Sequence, residues 1–197
     1  MTDKNPSRTE KHEAEARLLY AVLVAGKSAE FAQNALIRLM SVSTNIDDGP
    51  FALIKELIDK GLLDEALRAA RTGSYTRIGK CFKEIIKNEI DPETCTVEEL
   101  EAIHGIGPKT ARFYVMWTRN DNNYAALDTH ILKWLKYLGH NVPKSTPTGK
   151  LYATIEKIFL SEAEKRGIGA GKLDGLIWEY CKAGGHKTGK WPGVLEK

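Results

Sequence analysis

Apolar residues recur along this chain at the spacing of α-helices. Residues three or four positions apart lie on one face of a helix, so this spacing predicts amphipathic helices that each bury one face. The first two stripes consist of Leu18, Leu19, Val22 and Leu23, and of Phe31, Leu36 and Leu39. No segment alternates strongly enough between apolar and polar residues to predict a strand. The pattern therefore predicts an all-α protein with short connections.

Start and stop signals divide this pattern into separate helices. Thr96-Val-Glu-Glu99 is a capping box, Pro108 suits the first position of a helix, and Gly61, Gly73 and Gly139 are typical stops. The predicted helices cover 13–25, a stretch that starts at 28, 51–59, 62–71, 74–88, a stretch that starts at 96, 108–119, 128–138, 147–166 and 172–183. The first eight and last ten residues are predicted to be the most loosely held.

Composition excludes several classes of protein. The 197 residues are 42% hydrophobic and 28% charged, which is enough to bury a core and is unlike a disordered or collagen-like chain. No apolar run reaches the roughly 20 residues that cross a bilayer, and the N-terminus lacks the apolar stretch of a secretory signal. The three cysteines (Cys81, Cys95 and Cys181) are far apart, which favours neither a disulfide framework nor a metal site. We expect a protein of the reducing cytosol, without a membrane partner.

A glycine-cornered turn joins two of the predicted helices. The first ends near Ile103, Gly105-Ile-Gly107 turns, and Pro108 begins the second. Glycine lets the backbone turn tightly and come close to a ligand, and the unpaired N–H groups of a helix start suit a phosphate oxygen. Such a turn can grip a nucleic-acid backbone without reading sequence. The alternative is a corner that only packs. The net charge of +3 is compatible with a nucleic-acid partner if the lysines cluster on one face.

Two segments resemble the helix-hairpin-helix superfamily of DNA glycosylases, which includes endonuclease III and the 8-oxoguanine glycosylases. They are His104-Gly-Ile-Gly-Pro-Lys-Thr-Ala111 and Ala126-Leu-Asp-Thr-His-Ile-Leu132. The resemblance implies that Lys109 is the catalytic lysine and Asp128 the catalytic aspartate. Taken singly, Lys109 is equally an ordinary solvated lysine and Asp128 a helix N-cap. Their joint placement around the hairpin favours catalysis.

The chemistry of base removal suits these two residue types. Breaking the bond at C1′ of the sugar develops positive charge, which the Asp128 carboxylate stabilises. An amine such as that of Lys109 captures C1′ as a Schiff base, which permits β-elimination. The resemblance places DNA contacts at Gly105, Ile106, Gly107 and Thr110. Hairpins of this superfamily often bind a monovalent cation, here through the carbonyls of Gly105 and Gly107. We expect no other cofactor and no catalytic metal, because the five histidines show no ligand spacing.

The lesion specificity is inferred from what the chain lacks. Endonuclease III usually carries four clustered C-terminal cysteines that bind an iron–sulfur cluster, and this chain has only Cys181 after residue 95. A short, helical chain with a catalytic lysine and no cluster resembles the small archaeal and bacterial type of 8-oxoguanine glycosylase/lyase. That resemblance implies base recognition by Trp178 and Lys197, and a wedge at Lys27. Trp178 is alternatively a core aromatic, and Lys27 an ordinary surface lysine.

These inferences predict a bifunctional base-excision repair enzyme. We expect it to remove 8-oxoguanine from double-stranded DNA as an intracellular, cytoplasmic monomer. The expected architecture has a helical lobe at 9–124 that contains the helix-hairpin-helix at about 96–119, and a second lobe at 125–197 that is joined by residues 1–8. A DNA-binding cleft is expected between the lobes. The alternatives are an endonuclease III-like oxidised-pyrimidine glycosylase without a cluster, and a non-catalytic helix-hairpin-helix module that only binds DNA.

Overall fold

The predicted all-α architecture is confirmed in the computed structural model, which describes residues 8–42, 48–119, 121–188 and 190–196. All regular elements in these ranges are helical. The α-helices in chain order are α1 (Arg8–Leu23), α2 (Ala29–Met40), α3 (Pro50–Asp59), α4 (Leu63–Ala69), α5 (Tyr75–Lys87), α6 (Val97–Ala102), α7 (Pro108–Arg119), α8 (Thr129–Tyr137), α9 (Gly149–Lys165) and α10 (Ala170–Lys182). Two short 3₁₀ helices, Gly185–Thr188 and Gly193–Leu195, follow α10.

Two helices start where capping residues in the sequence predict them. The Ser28 hydroxyl accepts a hydrogen bond from the Phe31 N–H at 3.2 Å and caps α2. At α6 the capping box is reciprocal: the Thr96 hydroxyl accepts from the Glu99 N–H at 3.1 Å, and a Glu99 carboxylate oxygen accepts from the Thr96 N–H at 2.8 Å. Helix α1 begins at Arg8, five residues before the predicted start. Its first turn is polar and exposed, so apolar periodicity does not detect it.

The first compact unit, Met1–Ile106, contains α1 to α6. Helix α1 packs against α2, α3 and α5, and its stripe of leucines and valine is fully buried. Glu15 is also buried there, and its carboxylate accepts the Phe51 N–H at 3.0 Å. That N–H belongs to the first turn of α3, where a negative charge is favourable, so the buried carboxylate is satisfied.

The second compact unit, Gly107–Lys197, contains α7 to α10 and the 3₁₀ helices. Helix α10 packs against both α8 and α9. The core includes Trp134 and Phe159, whose rings meet edge to face with centroids 5.9 Å apart. Ile131, Ile155 and Leu173 are buried around them. Lys109 and Asp128, the predicted catalytic pair, both belong to this unit.

The structure places the division between the units at 106/107 rather than at 124/125. Helix α7 groups with the C-terminal unit, and Arg112 on α7 forms an ion pair with Glu156 on α9 at 2.7 Å. Such a long-range pair leaves no local signal in the sequence. Of the residues 1–8 that were assigned to the second lobe, 1–7 lie outside the described residues, and Arg8 begins α1 of the first unit.

The C-terminal segment 190–196 packs against its unit instead of being loosely held. Trp191 and Leu195 are buried, and Trp134 Nε1 donates to the Leu195 carbonyl at 2.9 Å. The Arg166 guanidinium donates to the carbonyls of Val194 and Glu196 at 2.9 and 3.0 Å. Two apolar side chains and three backbone acceptors thus fix a segment whose glycine and proline suggest a loop. In the described parts of the chain, no helix is long and apolar enough to cross a membrane.

Candidate active site

Lys109 lies in the first turn of α7. Its side chain is half-buried, and its Nζ atom lies 5.8 Å from the centroid of the Phe113 ring, one turn further along the helix. The position is partly open, so the amine can meet a substrate while the aromatic ring shields one side.

Asp128 is the N-cap of α8. Its Oδ1 atom accepts hydrogen bonds from the His130 and Ile131 N–H groups at 2.8 and 2.9 Å. The interpretation of Asp128 as an N-cap is therefore confirmed. Both bonds use Oδ1, and among the described residues Oδ2 accepts none. The half-buried carboxylate can therefore cap the helix and face a developing positive charge at the same time.

The charges of Lys109 and Asp128 both influence two other titratable groups of the same unit. Both act on the carboxyl group of Asp174 in α10, and both act on the imidazole of His130 in α8. Charges act strongly only over short distances in a folded protein. The structure therefore brings the predicted lysine and aspartate into one neighbourhood of the C-terminal unit.

Asp174 is a functional candidate that the sequence analysis missed. Burial, and after it the nearby Asp128 carboxylate, raise the pKa of its carboxyl to about 7, although the Lys109 charge opposes the rise. The carboxyl is thus largely neutral below pH 7, which spares Asp128 a like-charged neighbour. The sequence contained a signal for it: Asp174 is an acidic residue next to Leu173, which with Ile177 belongs to the buried face of α10.

Replacing Asp174 by Asn is expected to change how stability depends on pH. In the unfolded chain an aspartate has a pKa of about 3.9. The folded protein therefore holds this proton more tightly, and the wild type loses stability as the pH rises from about 4 to about 7. The variant lacks this loss, so thermal denaturation should show that its stability rises relative to the wild type between about pH 4 and about pH 7. The exposed Asp64→Asn is the control, and an equal pH response of the two variants would contradict the assignment.

His130 stays neutral beside the aspartate. Burial lowers the pKa of its imidazole, although the Asp128 charge opposes the shift. Its Nδ1 atom is buried and finds no hydrogen-bond partner within the described residues. The His186 ring, from the first 3₁₀ helix, lies 6.1 Å away between centroids. The imidazole therefore borders the site without adding a fixed charge to it.

Tyr152 holds the backbone that leads into Asp128. Its hydroxyl donates to the Ala125 carbonyl at 2.7 Å and accepts from the Leu127 N–H at 3.0 Å. Tyr152 is fully buried, and this burial raises the pKa of its phenol. A buried hydroxyl that satisfies one donor and one acceptor fixes this segment in one conformation. The position of Asp128 is set from helix α9.

Glu156 connects the same segment to the helix of Lys109. One of its carboxylate oxygens accepts the Ala125 N–H at 2.9 Å and the Arg112 Nε–H at 2.7 Å. Arg112 lies three residues after Lys109 on α7, and it also donates to the Pro108 carbonyl at 3.3 Å. Both side chains of the ion pair are largely buried. This network, with Tyr152, fixes the lysine helix relative to the aspartate segment.

The hairpin turn lies between α6 and α7 along the chain. Gly105 has φ of +87°, a conformation that side chains other than glycine rarely adopt, and the Ile106 N–H donates to the Ile103 carbonyl at 3.1 Å. The side chains of Ile106 and Thr110 are buried. The predicted DNA contact of Thr110 therefore concerns its backbone N–H, which lies in the first turn of α7 and has no acceptor within the helix, whereas the Ile106 N–H is already donated to Ile103.

The family model for 8-oxoguanine DNA glycosylases matches residues 3–168 of this chain. The chain belongs to this family. The prediction of a helix-hairpin-helix DNA repair enzyme, with DNA glycosylase and AP lyase activity, is thereby confirmed at the level of the family. Helix α10, with Asp174 and Trp178, lies beyond the matched residues.

Two solved structures from the archaeon Methanocaldococcus jannaschii share the fold. One is described as an 8-oxoguanine glycosylase/lyase in complex with 15mer DNA containing 8-oxoguanine; it is 23% identical, with 92% of this chain and 84% of that chain covered and a TM-score of 0.61. The other is described as an 8-oxoguanine DNA glycosylase; it is 22% identical, with 92% and 81% covered and the same TM-score of 0.61. The likeness extends the glycosylase fold over almost the whole chain.

Lys27 lies against its own unit in this glycosylase. Its Nζ atom is 4.8 Å from the centroid of the Phe31 ring. A Cβ atom added to Gly73 would lie 2.5 Å from the same Nζ, so the side chain passes directly over that glycine. A wedge role requires the side chain to leave this position, and the role remains a prediction.

Trp178 is on the surface rather than in the core. It is 39% exposed, and the Lys182 Nζ atom lies 4.7 Å from the centroid of its ring. The interpretation as a core aromatic is therefore wrong, while base stacking by Trp178 remains a prediction. Lys197, the other residue predicted to recognise the base, lies outside the described residues.

Replacing Gly107 by Ala tests whether the hairpin of the glycosylase approaches DNA closely. Gly107 is exposed, and an added Cβ would meet nothing within 4 Å, so the fold does not require glycine there. We expect the free energy of unfolding to fall by at most about 1 kcal/mol, the size typical of placing alanine at the residue that precedes a helix. A methyl group between the turn and a phosphate should weaken DNA binding about ten-fold, or by about 1.4 kcal/mol. Thermal denaturation and fluorescence anisotropy measure the two effects.

Gly105→Ala is the matched control for this pair of measurements. Its Cβ would lie 2.9 Å from Arg77 Cγ at a positive φ, so this variant should lose stability as well as DNA affinity. Unchanged DNA affinity of Gly107→Ala would show that the turn does not approach a phosphate.

Proposed function

We propose that this protein is a bifunctional DNA glycosylase/AP lyase that removes 8-oxoguanine from double-stranded DNA. Lys109 is the nucleophile, and Asp128 stabilises the positive charge that develops on the sugar. The observation that carries the proposal is that the Lys109 and Asp128 charges both act on Asp174 and on His130. From this we infer that the amine and the carboxylate lie near each other. Membership of the 8-oxoguanine DNA glycosylase family supports the choice of lesion.

Base removal begins with a nucleotide turned out of the duplex. The glycosidic bond breaks, its electron pair leaves with the base, and positive charge develops at C1′. Asp128 Oδ2 faces this charge, which is the kind of electrostatic stabilisation that fixed groups in a site supply. The neutral amine of Lys109 donates its lone pair to C1′ and forms the new N–C1′ bond. The departing base takes up a proton.

The lyase step follows from the use of an amine. The C1′–O4′ bond breaks, its electron pair stays on O4′, which takes up a proton given up by the Lys109 nitrogen, and a C1′=N double bond forms as the imine that joins the lysine to C1′. The imine acidifies the C2′ proton. Removal of this proton places electrons between C2′ and C3′ and expels the 3′ phosphate, which cleaves the strand. Hydrolysis of the imine then releases Lys109.

The positioning network supports this chemistry. The amine and the carboxylate act on the same carbon, so a displacement of about 1 Å of either group would lower the reaction rate. Glu156 and Arg112 connect α7 to the segment before Asp128, and Tyr152 fixes that segment from a second side. Because these side chains are buried and satisfy each other, the two reacting groups are held before the substrate arrives.

The DNA partner is expected to lie against the hairpin through its phosphates. The start of α7 offers unpaired N–H groups and the positive end of a helix, both of which favour a phosphate oxygen. One of the archaeal neighbours is described in complex with DNA containing 8-oxoguanine, which supports the same partner here. The exposed ring of Trp178 is a candidate platform for the extruded base.

The remaining expectations follow from the mechanism. The chemistry needs only the amine and the carboxylate, so we propose an enzyme without a metal or organic cofactor. Both groups and their network come from one unit of one chain, which supports a monomer. A substrate in genomic DNA implies an intracellular enzyme, and the three cysteines, all of them free and buried, suit a reducing compartment.

A panel of duplexes tests the proposal. Matched duplexes that contain 8-oxoguanine, thymine glycol, uracil or no lesion are incubated with the protein, and strand cleavage is measured. We expect cleavage of the 8-oxoguanine strand at a rate well above the others. Preferential cleavage of thymine glycol would instead favour the oxidised-pyrimidine enzyme. Binding of all duplexes without cleavage of any would favour the non-catalytic module.

A further inference from the structure

Arg77 is positioned directly beneath the hairpin turn. It lies in the first turn of α5, is half-buried, and donates from Nη1 to the Gly105 carbonyl at 3.1 Å. Its Nη2 donates to the Val22 carbonyl, in the last turn of α1, at 3.2 Å. The alkyl part of the side chain also packs under Gly105, since a Cβ there would lie 2.9 Å from Arg77 Cγ. One guanidinium thus connects the turn to the end of α1.

The two carbonyls predicted to bind a monovalent cation are both already hydrogen-bonded. The Gly105 carbonyl accepts from Arg77, and the Gly107 carbonyl accepts from the Ala111 N–H at 3.0 Å as the first helical bond of α7. A carbonyl oxygen keeps a second lone pair, so hydrogen bonding alone does not exclude a cation. The charge does, because a cation on the Gly105 oxygen would lie next to a permanently charged guanidinium. The residues at this turn therefore do not fit the cation.

We propose that the Arg77 guanidinium takes the place of a monovalent cation at the hairpin, so that the hairpin binds DNA phosphates without potassium or sodium. Arg77 is a positioning residue: it holds the Gly105 carbonyl, and with it the turn, in the conformation that presents N–H groups to a phosphate. The positive charge of its guanidinium lies beside the Gly105 carbonyl and adds to the attraction for phosphate.

The inference is independent of the chemistry at Lys109. It rests on the proposed function only in that the hairpin binds DNA. Arg77, Val22 and Gly105 belong to the first unit, whereas the reacting groups belong to the second. Loss of Arg77 should therefore be read from the affinity for DNA, which is measured separately from the chemical step at Lys109.

Replacement of the buffer cation is the direct test. The binding of the wild-type protein to a fluorescent duplex with an uncleavable abasic-site analogue is measured at constant ionic strength in potassium, sodium or tetramethylammonium chloride. We expect the three dissociation constants to agree within about two-fold, because the hairpin requires no small cation. A loss of about five-fold or more in tetramethylammonium would overturn the proposal, since that cation is too large for carbonyl ligands.

Arg77→Met provides the second arm. In tetramethylammonium it should bind DNA about ten-fold more weakly than the wild type, the size expected for lost charge-assisted hydrogen bonds. Arg77→Lys, which keeps the charge with a single donor centre, should lie between the two. Lys87→Met at the other end of α5, roughly 15 Å away along the helix, removes the same charge and should stay within about two-fold.

The outcomes separate the two proposals. Binding of Arg77→Met within about two-fold of the wild type would overturn the role of Arg77. If Arg77→Met does not fold, as judged by circular dichroism, the wild-type comparison of cations decides alone. A wild-type protein that binds the duplex in none of the salts would contradict the proposed function itself rather than the role of Arg77.

Discussion

Replacing Lys109 by Gln is expected to abolish the covalent adduct that borohydride forms with lesion-containing DNA. Glutamine has a similar length but no nucleophilic amine, so neither the N–C1′ bond nor the imine can form. The excision rate should fall by roughly a thousand-fold or more, as when the nucleophile of a concerted set of groups is removed. The affinity for DNA should change little, because the amine takes part in the reaction whereas the hairpin backbone binds the DNA. Single-turnover cleavage and trapping on denaturing gels measure the loss.

Lys133→Gln is the matched control for this variant. Lys133 lies on α8, and its charge acts on His130 as that of Lys109 does, but it is exposed and outside the first turn of α7. It should trap DNA like the wild type. Efficient trapping by Lys109→Gln would show that another amine is the nucleophile.

Replacing Asp128 by Asn is expected to slow base excision by about a hundred- to a thousand-fold, the usual effect of removing one preorganised electrostatic group. Asparagine is as good an N-cap as aspartate, so α8 and the fold should survive. Cleavage of DNA that already contains an abasic site should be much less affected, because the base has already left and no glycosidic bond has to break. Single-turnover rates on 8-oxoguanine and abasic-site duplexes separate the two steps.

Two further variants check this assignment. Asp121→Asn removes a carboxylate from the same connecting segment, where Asp121 accepts only the Asn123 N–H in the described structure, and should leave excision intact. Asp128→Ala also removes the cap, so it should add a stability loss of about 1 kcal/mol to the loss of rate. Full excision activity in Asp128→Asn would remove the carboxylate from the mechanism.

Local patterns in the sequence were sufficient to predict most of the helices, whereas the proposed reacting pair, Lys109 and Asp128, came from the resemblance to a known family. A cap such as Ser28 or Thr96 accepts a hydrogen bond from an N–H group two or three residues further along, so both partners lie within one turn of the helix and can be read from a short stretch of sequence. Asp128 illustrates the limit of this approach. The same residue is an N-cap and a catalytic candidate, and only the groups around it distinguish the two roles.

The polar contacts that escaped prediction join residues far apart in the chain. Tyr152 and Glu156 lie four residues apart on α9, and nothing in that spacing shows that both bind the backbone at Ala125. Arg77 donates to the Gly105 carbonyl, 28 positions away in the chain. The C-terminal segment 190–196 is held in part by the buried side chain of Trp191. Periodicity identifies which face of a helix is buried but does not identify the polar partner that the face meets.

The most direct test of the account is to locate the lysine that becomes attached to DNA. The wild-type protein is reduced with borohydride during its reaction with an 8-oxoguanine duplex, digested with a protease, and the modified peptide is sequenced by mass spectrometry. The account predicts that the sugar remnant is attached to Lys109. Attachment to another lysine, or cleavage of the lesion strand without any adduct, would contradict it.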